Sequence, residues 1–157
     1  MIAVVQRVTE AQVIVEGRVV GHIDGGLVAL VAIHATDTPD DVTWMAGKLA
    51  GLRIFRNGDK HFDFDVKLAG GAVLLVSNFT VAAATRQGRR PSFDAAASPE
   101  KGRALFDALV EAVRAQGLAV ETGVFGADMS VTIVNDGPVT VIVDSAQGKK
   151  ARMDDGG

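Results

Sequence analysis

Val134-Asn135-Asp136-Gly137-Pro138-Val139-Thr140 sets a Gly-Pro pair between two strongly β-patterned runs near the C-terminal end of the chain. Proline has no N–H for a sheet ladder, so it belongs at a turn, a sheet edge or a special site. Two readings stay open on the residues alone. Asn, Asp, Gly and Pro are the usual turn formers, which makes a plain hairpin turn the simpler one. The other is a rigid backbone device aimed at a ligand. Cis X-Pro bonds are a small minority in folded proteins, so the sequence does not assign one here.

Working outward, the rest of the chain reads as strands broken by two helices. Residues 2–8 and 11–16 have strand character, and Glu16-Gly17-Arg18 makes a tight turn into Val19-Val20-Gly21-His22-Ile23. Leu27 to Ile33 is a continuous apolar run, as in a strand buried on both faces. Thr38-Pro39-Asp40-Asp41 supplies a cap, a first-turn proline and acids at the positive dipole end of a helix that runs to Ala50 or Gly51. Leu52-Arg53-Ile54-Phe55 is a short strand, Asn57-Gly58-Asp59 a turn, and Phe62 to Val66 alternates with a two-residue period. Ala72-Val73-Leu74-Leu75-Val76 is a buried-strand pattern that runs into Ser77-Asn78-Phe79-Thr80-Val81.

Residues 82–98 are rich in Ala, Arg, Gly, Ser and Pro without periodicity, and loops that long in compact domains are functional or disordered. Ser98-Pro99-Glu100 opens a second helix, with Leu105, Leu109, Val110 and Val113 at helical spacing and Gly117 as its stop. Strands follow at 118–124, 128–134 and 139–144, so the expected domain is 1–145, with 146–157 a disordered tail. The expectation is a single α+β domain whose mixed sheet is strongly bent or barrel-like, with two main helices.

Composition narrows the function classes. The 157 residues suffice for one domain with its own core. Polar residues interrupt every apolar run well short of the ~18 residues a membrane span needs, and no signal-peptide pattern opens the chain. No membrane association is expected, and the expected compartment is the cytoplasm. Zero cysteines exclude disulfides, Cys-ligated metals and thiol catalysis. A net charge of −3 and a pI of about 5.5 speak against a protein that coats nucleic acid. An RNA gripped by its end is still compatible, with Arg86, Arg89 and Arg90, and Lys149, Lys150 and Arg152 in the tail, as local phosphate partners. The plain alternative for both groups is a solvated loop and a solvated tail.

The chemistry-bearing residues are few. His22, His34 and His61 lack metal-ligand spacing, so no metal and no cofactor are expected. Asp63 and Asp65 share a strand face, as an acid/base pair would, or as the wet side of an edge strand. Thr80 is the obvious candidate nucleophile, yet it needs a base and has no histidine near it in sequence. Ser77 and Thr80 read equally as strand-end hydroxyls bonded to backbone. Arg7 reads as a charge on an outer strand face.

Together, Ser77-Asn78-Phe79-Thr80-Val81 and Asn135-Asp136-Gly137-Pro138-Val139-Thr140 resemble the D-aminoacyl-tRNA deacylase family, whose members carry Ser-Gln-Phe-Thr-Leu and Asn-x-Gly-Pro-x-Thr. The likeness extends from Met1-Ile2-Ala3-Val4-Val5-Gln6-Arg7-Val8 through Arg90-Pro91-Ser92-Phe93 and Ala127-Asp128-Met129 to about Asp144. Asn78 and Val81 depart from the family Gln and Leu.

The resemblance implies a homodimer that hydrolyses the ester of D-aminoacyl-tRNA, and of glycyl-tRNA mischarged on tRNA(Ala), at the 3′ acceptor end. It implies that Ser77, Phe79 and Thr80 form the catalytic segment, with backbone N–H groups around Phe79 and Thr80 as oxyanion donors and the 2′-hydroxyl of the RNA assisting. Asn78, Gly137, Pro138 and Arg7 would contact or brace the substrate side. Gly137-Pro138 would be cis, would reach into the partner subunit's site and would reject L-amino acids, with Arg7 bracing it. Two other classes stay open: a non-catalytic dimer that binds the acceptor end, and a small-molecule esterase using Thr80.

Overall fold

The computed structural model describes residues 1–148. Its sheet strands are β1 (Ile2–Val15), β2 (Arg18–Ile23), β3 (Gly26–Ala32), β6 (Ala72–Ser77), β7 (Val120–Thr122) and β8 (Ser130–Asp144). A separate hairpin joins β4 (Phe55–Asn57) to β5 (Lys60–Phe64), and the helices are α1 (Pro39–Gly51) and α2 (Pro99–Arg114). β1 pairs antiparallel with β2, β3 and β8, while β3–β6 and β6–β7 are parallel. Parallel neighbours need a long crossover, and the segment carrying α1 and the β4–β5 hairpin provides it between β3 and β6.

The uninterrupted apolar character of β3 and β6 follows from having two cores, one on each face. Leu27, Ala29 and Val31 join Val73 and Leu75 against Val42, Met45 and Leu49 of α1 and Phe106, Leu109 and Val113 of α2. The alternate residues Val28, Leu74 and Val76 turn the other way, into the curl of the sheet with Val8, Ala11, Val13 and Ile23. The curl nearly closes where β2 crosses β7: a Cβ on Gly21 would stand 2.3 Å from Thr122 O, so only glycine allows that approach. The barrel-like mixed sheet of a single α+β domain is thus as expected.

Both helices begin as their sequences predict. Asp41 Oδ2 accepts from the Thr38 N–H at 2.9 Å in α1, and Ser98 Oγ accepts from Lys101 N at 3.4 Å in α2, each with proline at the first turn. Beyond β8, residues 145–148 form a helical turn and Ser145 is buried. Its Oγ donates to Asp41 Oδ1 at 2.6 Å and accepts from the Met1 ammonium, which also pairs with Asp37. The remainder of the expected tail, including Lys149, Lys150 and Arg152, lies outside the described residues.

Two expectations need correction. The runs 2–8 and 11–16 are one 14-residue strand, and 128–134 and 139–144 likewise merge into the 15-residue β8. Consequently Asn135-Asp136-Gly137-Pro138 is not a hairpin turn. Gln6 pairs with Thr140 and Val8 with Asn135, so the four residues 136–139 of β8 stand opposite Arg7 alone. The surplus has to leave the ladder, and it does so as a bulge within a continuing strand.

Candidate functional site

β6 ends at Ser77 because the next residues stop following the parallel ladder. Asn78 N still donates to Val31 O at 2.8 Å, after which Phe79–Ala82 winds into a short 3-10 turn. The strand end therefore lies over a cavity of about 1010 Å³. Ser77, Asn78 and Phe79 line it, together with Phe93, Phe125 and Asp128 among others. Phe79 and Phe93 meet edge to face, with centroids 5.2 Å apart and planes at 70°, yet 57% of Phe79 and 37% of Phe93 remain exposed. An aromatic pair open to solvent at a cavity is a platform on which a nucleobase can stack.

The first two N–H groups of the turn, on Phe79 and Thr80, precede its first internal bonds, which run from Val81 N to Asn78 O and from Ala83 N to Thr80 O. They have no acceptor among the described residues and are free to donate to an oxyanion. Thr80 itself is exposed and does not line the cavity. Its Oγ1 donates to Asn78 Oδ1 at 2.5 Å, and an amide oxygen is not a base. No histidine lines the cavity either; His22 lies beside Glu10 at 3.5 Å on the outer surface, and His34 faces the Met1 amine. A serine-hydrolase style arrangement of nucleophile and base is therefore not assembled here.

The Gly137-Pro138 peptide is cis, both residues are exposed, and neither lines the cavity of its own chain. The bulge is braced from beneath. Arg7 is only 4% exposed, which replaces the reading of it as a charge on an outer strand face. Its Nη1 donates to Ile54 O at 2.7 Å, and its Nε lies 2.9 Å from Asp136 Oδ2. That Nε–H is not aimed along the contact, so the attraction is one of charge rather than a directed hydrogen bond. Asn135 Nδ2 donates both to Arg7 O and to Val139 O, each at 2.9 Å, and so pins the two ends of the bulge.

Asp63 and Asp65 stand apart from all of this. Asp63 accepts from Asn57 Nδ2 and Arg53 Nη2, each at 2.7 Å, and the Asn57 bond, followed by the charges of Lys60 and Arg53, holds its carboxyl below the usual value. Asp65 Oδ1 accepts from Leu68 N at 2.9 Å and shapes a turn. Neither is an acid/base pair with the cavity. The loop after the 3-10 turn is closed by a bridge between Ala84 and Ser92, with Arg86, Arg89 and Arg90 exposed in between. Phe93, which follows directly, carried no role on sequence grounds, although an aromatic within a polar loop was the available signal. Among the described residues no cluster of three or more metal-ligating side chains occurs, and no helix is long and apolar enough to cross a membrane.

Comparison with known proteins gives a consistent picture. The profile of the D-Tyr-tRNA(Tyr) deacylase family matches residues 4–144. A D-aminoacyl-tRNA deacylase of Thermotoga petrophila is 51% identical over 147 residues, spanning 94% of this chain and 99% of that protein. The D-aminoacyl-tRNA deacylase of Chloroflexus aurantiacus is 52% identical, spanning 94% and 92%. Among solved structures, c-Myc DNA Unwinding Element Binding Protein superposes with a TM-score of 0.87 at 35% identity, covering 92% of this chain and 98% of that one. A probable eukaryotic D-amino acid tRNA deacylase superposes with a TM-score of 0.81 at 17% identity, covering 91% and 98%, a likeness of fold.

Proposed function

The chain belongs to the D-Tyr-tRNA(Tyr) deacylase family, and on that premise we propose that it hydrolyses the ester between a D-amino acid and the terminal adenosine of tRNA. Water is consumed, and free D-amino acid and tRNA are released. The observation that carries the mechanism is the strand end at Ser77-Asn78-Phe79, which offers a cavity, an aromatic platform and unengaged backbone donors but no activated side-chain nucleophile. Such a site suits an ester that is already reactive because a ribose hydroxyl adjoins it. The protein has to orient it, admit water and stabilise the oxyanion through the N–H groups of Phe79 and Thr80. Phe79 and Phe93 hold the adenine, and Arg86, Arg89 and Arg90 meet nearby phosphates.

Chiral selection falls to Gly137 and Pro138. These residues protrude on a braced bulge away from their own cavity, which supports a role in a second subunit's site. Fixed main-chain atoms there would collide with an L side chain and leave a D side chain free, while glycine, which has no side chain, would pass. Glycyl-tRNA mischarged on tRNA(Ala) is thus a further substrate. The assembly this demands is a two-fold homodimer. Among the described residues β8 pairs only with β1, and Val134 and Ile142 of β8 are 47% and 68% exposed, a surface that a second copy would cover. The working compartment is the cytoplasm.

The test is the initial rate of deacylation of one tRNA charged with D-tyrosine and with L-tyrosine, against a no-enzyme control. Multiple-turnover loss of the D ester alone is expected. Stoichiometric binding of the charged tRNA without acceleration would instead identify a non-catalytic binder of the acceptor end.

A further inference from the structure

Asn78 flanks the 3-10 turn at the position where an Asn side chain ordinarily caps by accepting a backbone N–H. It makes no such bond. Its Oδ1 accepts from Thr80 Oγ1 at 2.5 Å instead, while its own N–H donates to Val31 O at 2.8 Å and its carbonyl accepts from Val81 N at 3.2 Å. Of its four polar groups, three are engaged within the protein. Nδ2 has no partner among the described residues, and Asn78 lines the cavity whereas Thr80 does not.

An amide is planar, so fixing one edge fixes the other. With Oδ1 held by Thr80, the Nδ2 group becomes a donor of set direction on a half-buried residue of the cavity wall. The hydroxyl has a single proton, and that proton is engaged in the bond to Asn78. We propose that Thr80 is a positioning residue, and that Asn78 Nδ2 is the donor it holds for an oxygen of the aminoacyl-ester end of the substrate. This rests on the deacylase reading above. It also assigns a use to Asn78, whose side chain is too short to be assumed to act as a longer amide would.

The decisive set is Thr80→Val, which keeps shape and loses the hydroxyl, Thr80→Ser, which restores it, Asn78→Asp, which keeps the acceptor and loses the N–H, and the Thr80→Val/Asn78→Asp double variant. Each is assayed for kcat and KM on D-tyrosyl-tRNA, with a thermal melt as the check on folding; Asn78→Ser replaces Asn78→Asp if the latter does not fold. Thr80→Val is expected to lose about tenfold in kcat/KM, the worth of a neutral hydrogen bond, and Asn78→Asp at least as much, because its carboxylate also sets a negative charge against the substrate oxygen. Thr80→Ser should stay within about threefold of wild type, and the double variant should be no worse than Asn78→Asp, since a clamp with nothing to hold has no further effect. Wild-type activity in Thr80→Val, equal losses in Thr80→Ser and Thr80→Val, or independent losses in the double variant would overturn the proposal. So would a Thr80→Val rate equal to the uncatalysed one, which is the mark of a nucleophile. Absence of turnover by the wild type would fault the deacylase reading itself, a result none of these variants can imitate.

Discussion

Replacing Gly137 with alanine would place a Cβ 2.8 Å from Val139 Cγ2, 2.9 Å from Val139 N and 3.1 Å from Arg7 Nη2. The first of these neighbours can rotate, but the second is backbone and the third is buried and tied to Ile54 O. The position also has φ of +129°, which L side chains rarely adopt. A non-glycine residue held in such a region costs about 1–3 kcal/mol, and crowding of this kind costs a similar amount where it cannot relax. Because the bulge is exposed and its neighbours in the ladder are intact, part of that cost is relieved by local movement. A net loss of about 2 kcal/mol is expected, a fall in Tm of roughly 4–8 °C for a domain of this size.

The price is paid where the function lies, since the movement that relieves the clash displaces the two residues assigned to chiral selection. The assay is deacylation of D-tyrosyl- and L-tyrosyl-tRNA by Gly137→Ala, with melting followed in parallel. At least a tenfold drop in the ratio of D to L rates is expected in a folded variant. Unchanged rates on both enantiomers, in protein that melts within 8 °C of wild type, would refute the reasoning.

Three further expectations can be checked with the same preparations. Phe93→Ala removes half of the aromatic platform and should raise KM for charged tRNA by about five- to tenfold, near 1 kcal/mol of stacking, with kcat little changed in steady-state kinetics. Arg7→Ala deprives Ile54 O of its donor and leaves a void beneath the bulge, so urea unfolding should show a loss of about 2–4 kcal/mol, with deacylation falling further than unfolding accounts for. Asp63→Asn should leave deacylation unchanged, because Asp63 is remote from the cavity. Its carboxyl is lowered from 3.8 in the folded state, so it adds stability above the unfolded value and loses it as the pH falls through the folded one. The difference in Tm between wild type and Asp63→Asn should therefore be present at neutral pH and vanish in acid below that window.

What could be read from the chain was what local chemistry decides. The unbroken apolar run of β3 announced a strand buried on both faces, and the structure puts alternate residues into two separate cores. Thr38-Pro39 and Ser98-Pro99 marked the helix starts because caps and first-turn prolines act within a few residues. The continuity of β1 and β8 was hidden. Thr9-Glu10 and Asp136-Gly137-Pro138 look like breaks, and only a partner strand reveals that pairing resumes beyond them. For the site, Ser77 to Thr80 stood out as the polar end of a buried strand, and the structure places Ser77, Asn78 and Phe79 at the cavity. Phe93 as the ring beside Phe79, the burial of Arg7 and the hydroxyl-to-amide bond of Thr80 depend on tertiary placement that no local pattern encodes.

The pairing of β1 with β8 joins the beginning of the chain to its far end. During synthesis, one edge of β1 can take up β2 and β3 early, while the other waits until residues 130–144 have emerged. Contacts of such sequence separation form slowly, and an open strand edge in the interval is a template for wrong partners. The brace between Arg7 and Asp136 belongs to that last pairing. The segment assigned to discrimination is thus among the final parts to be laid down, and the same pairing brings in Val131 and Ile133 of the cavity wall, so a chain truncated before β8 would lack the filter and part of the cavity together.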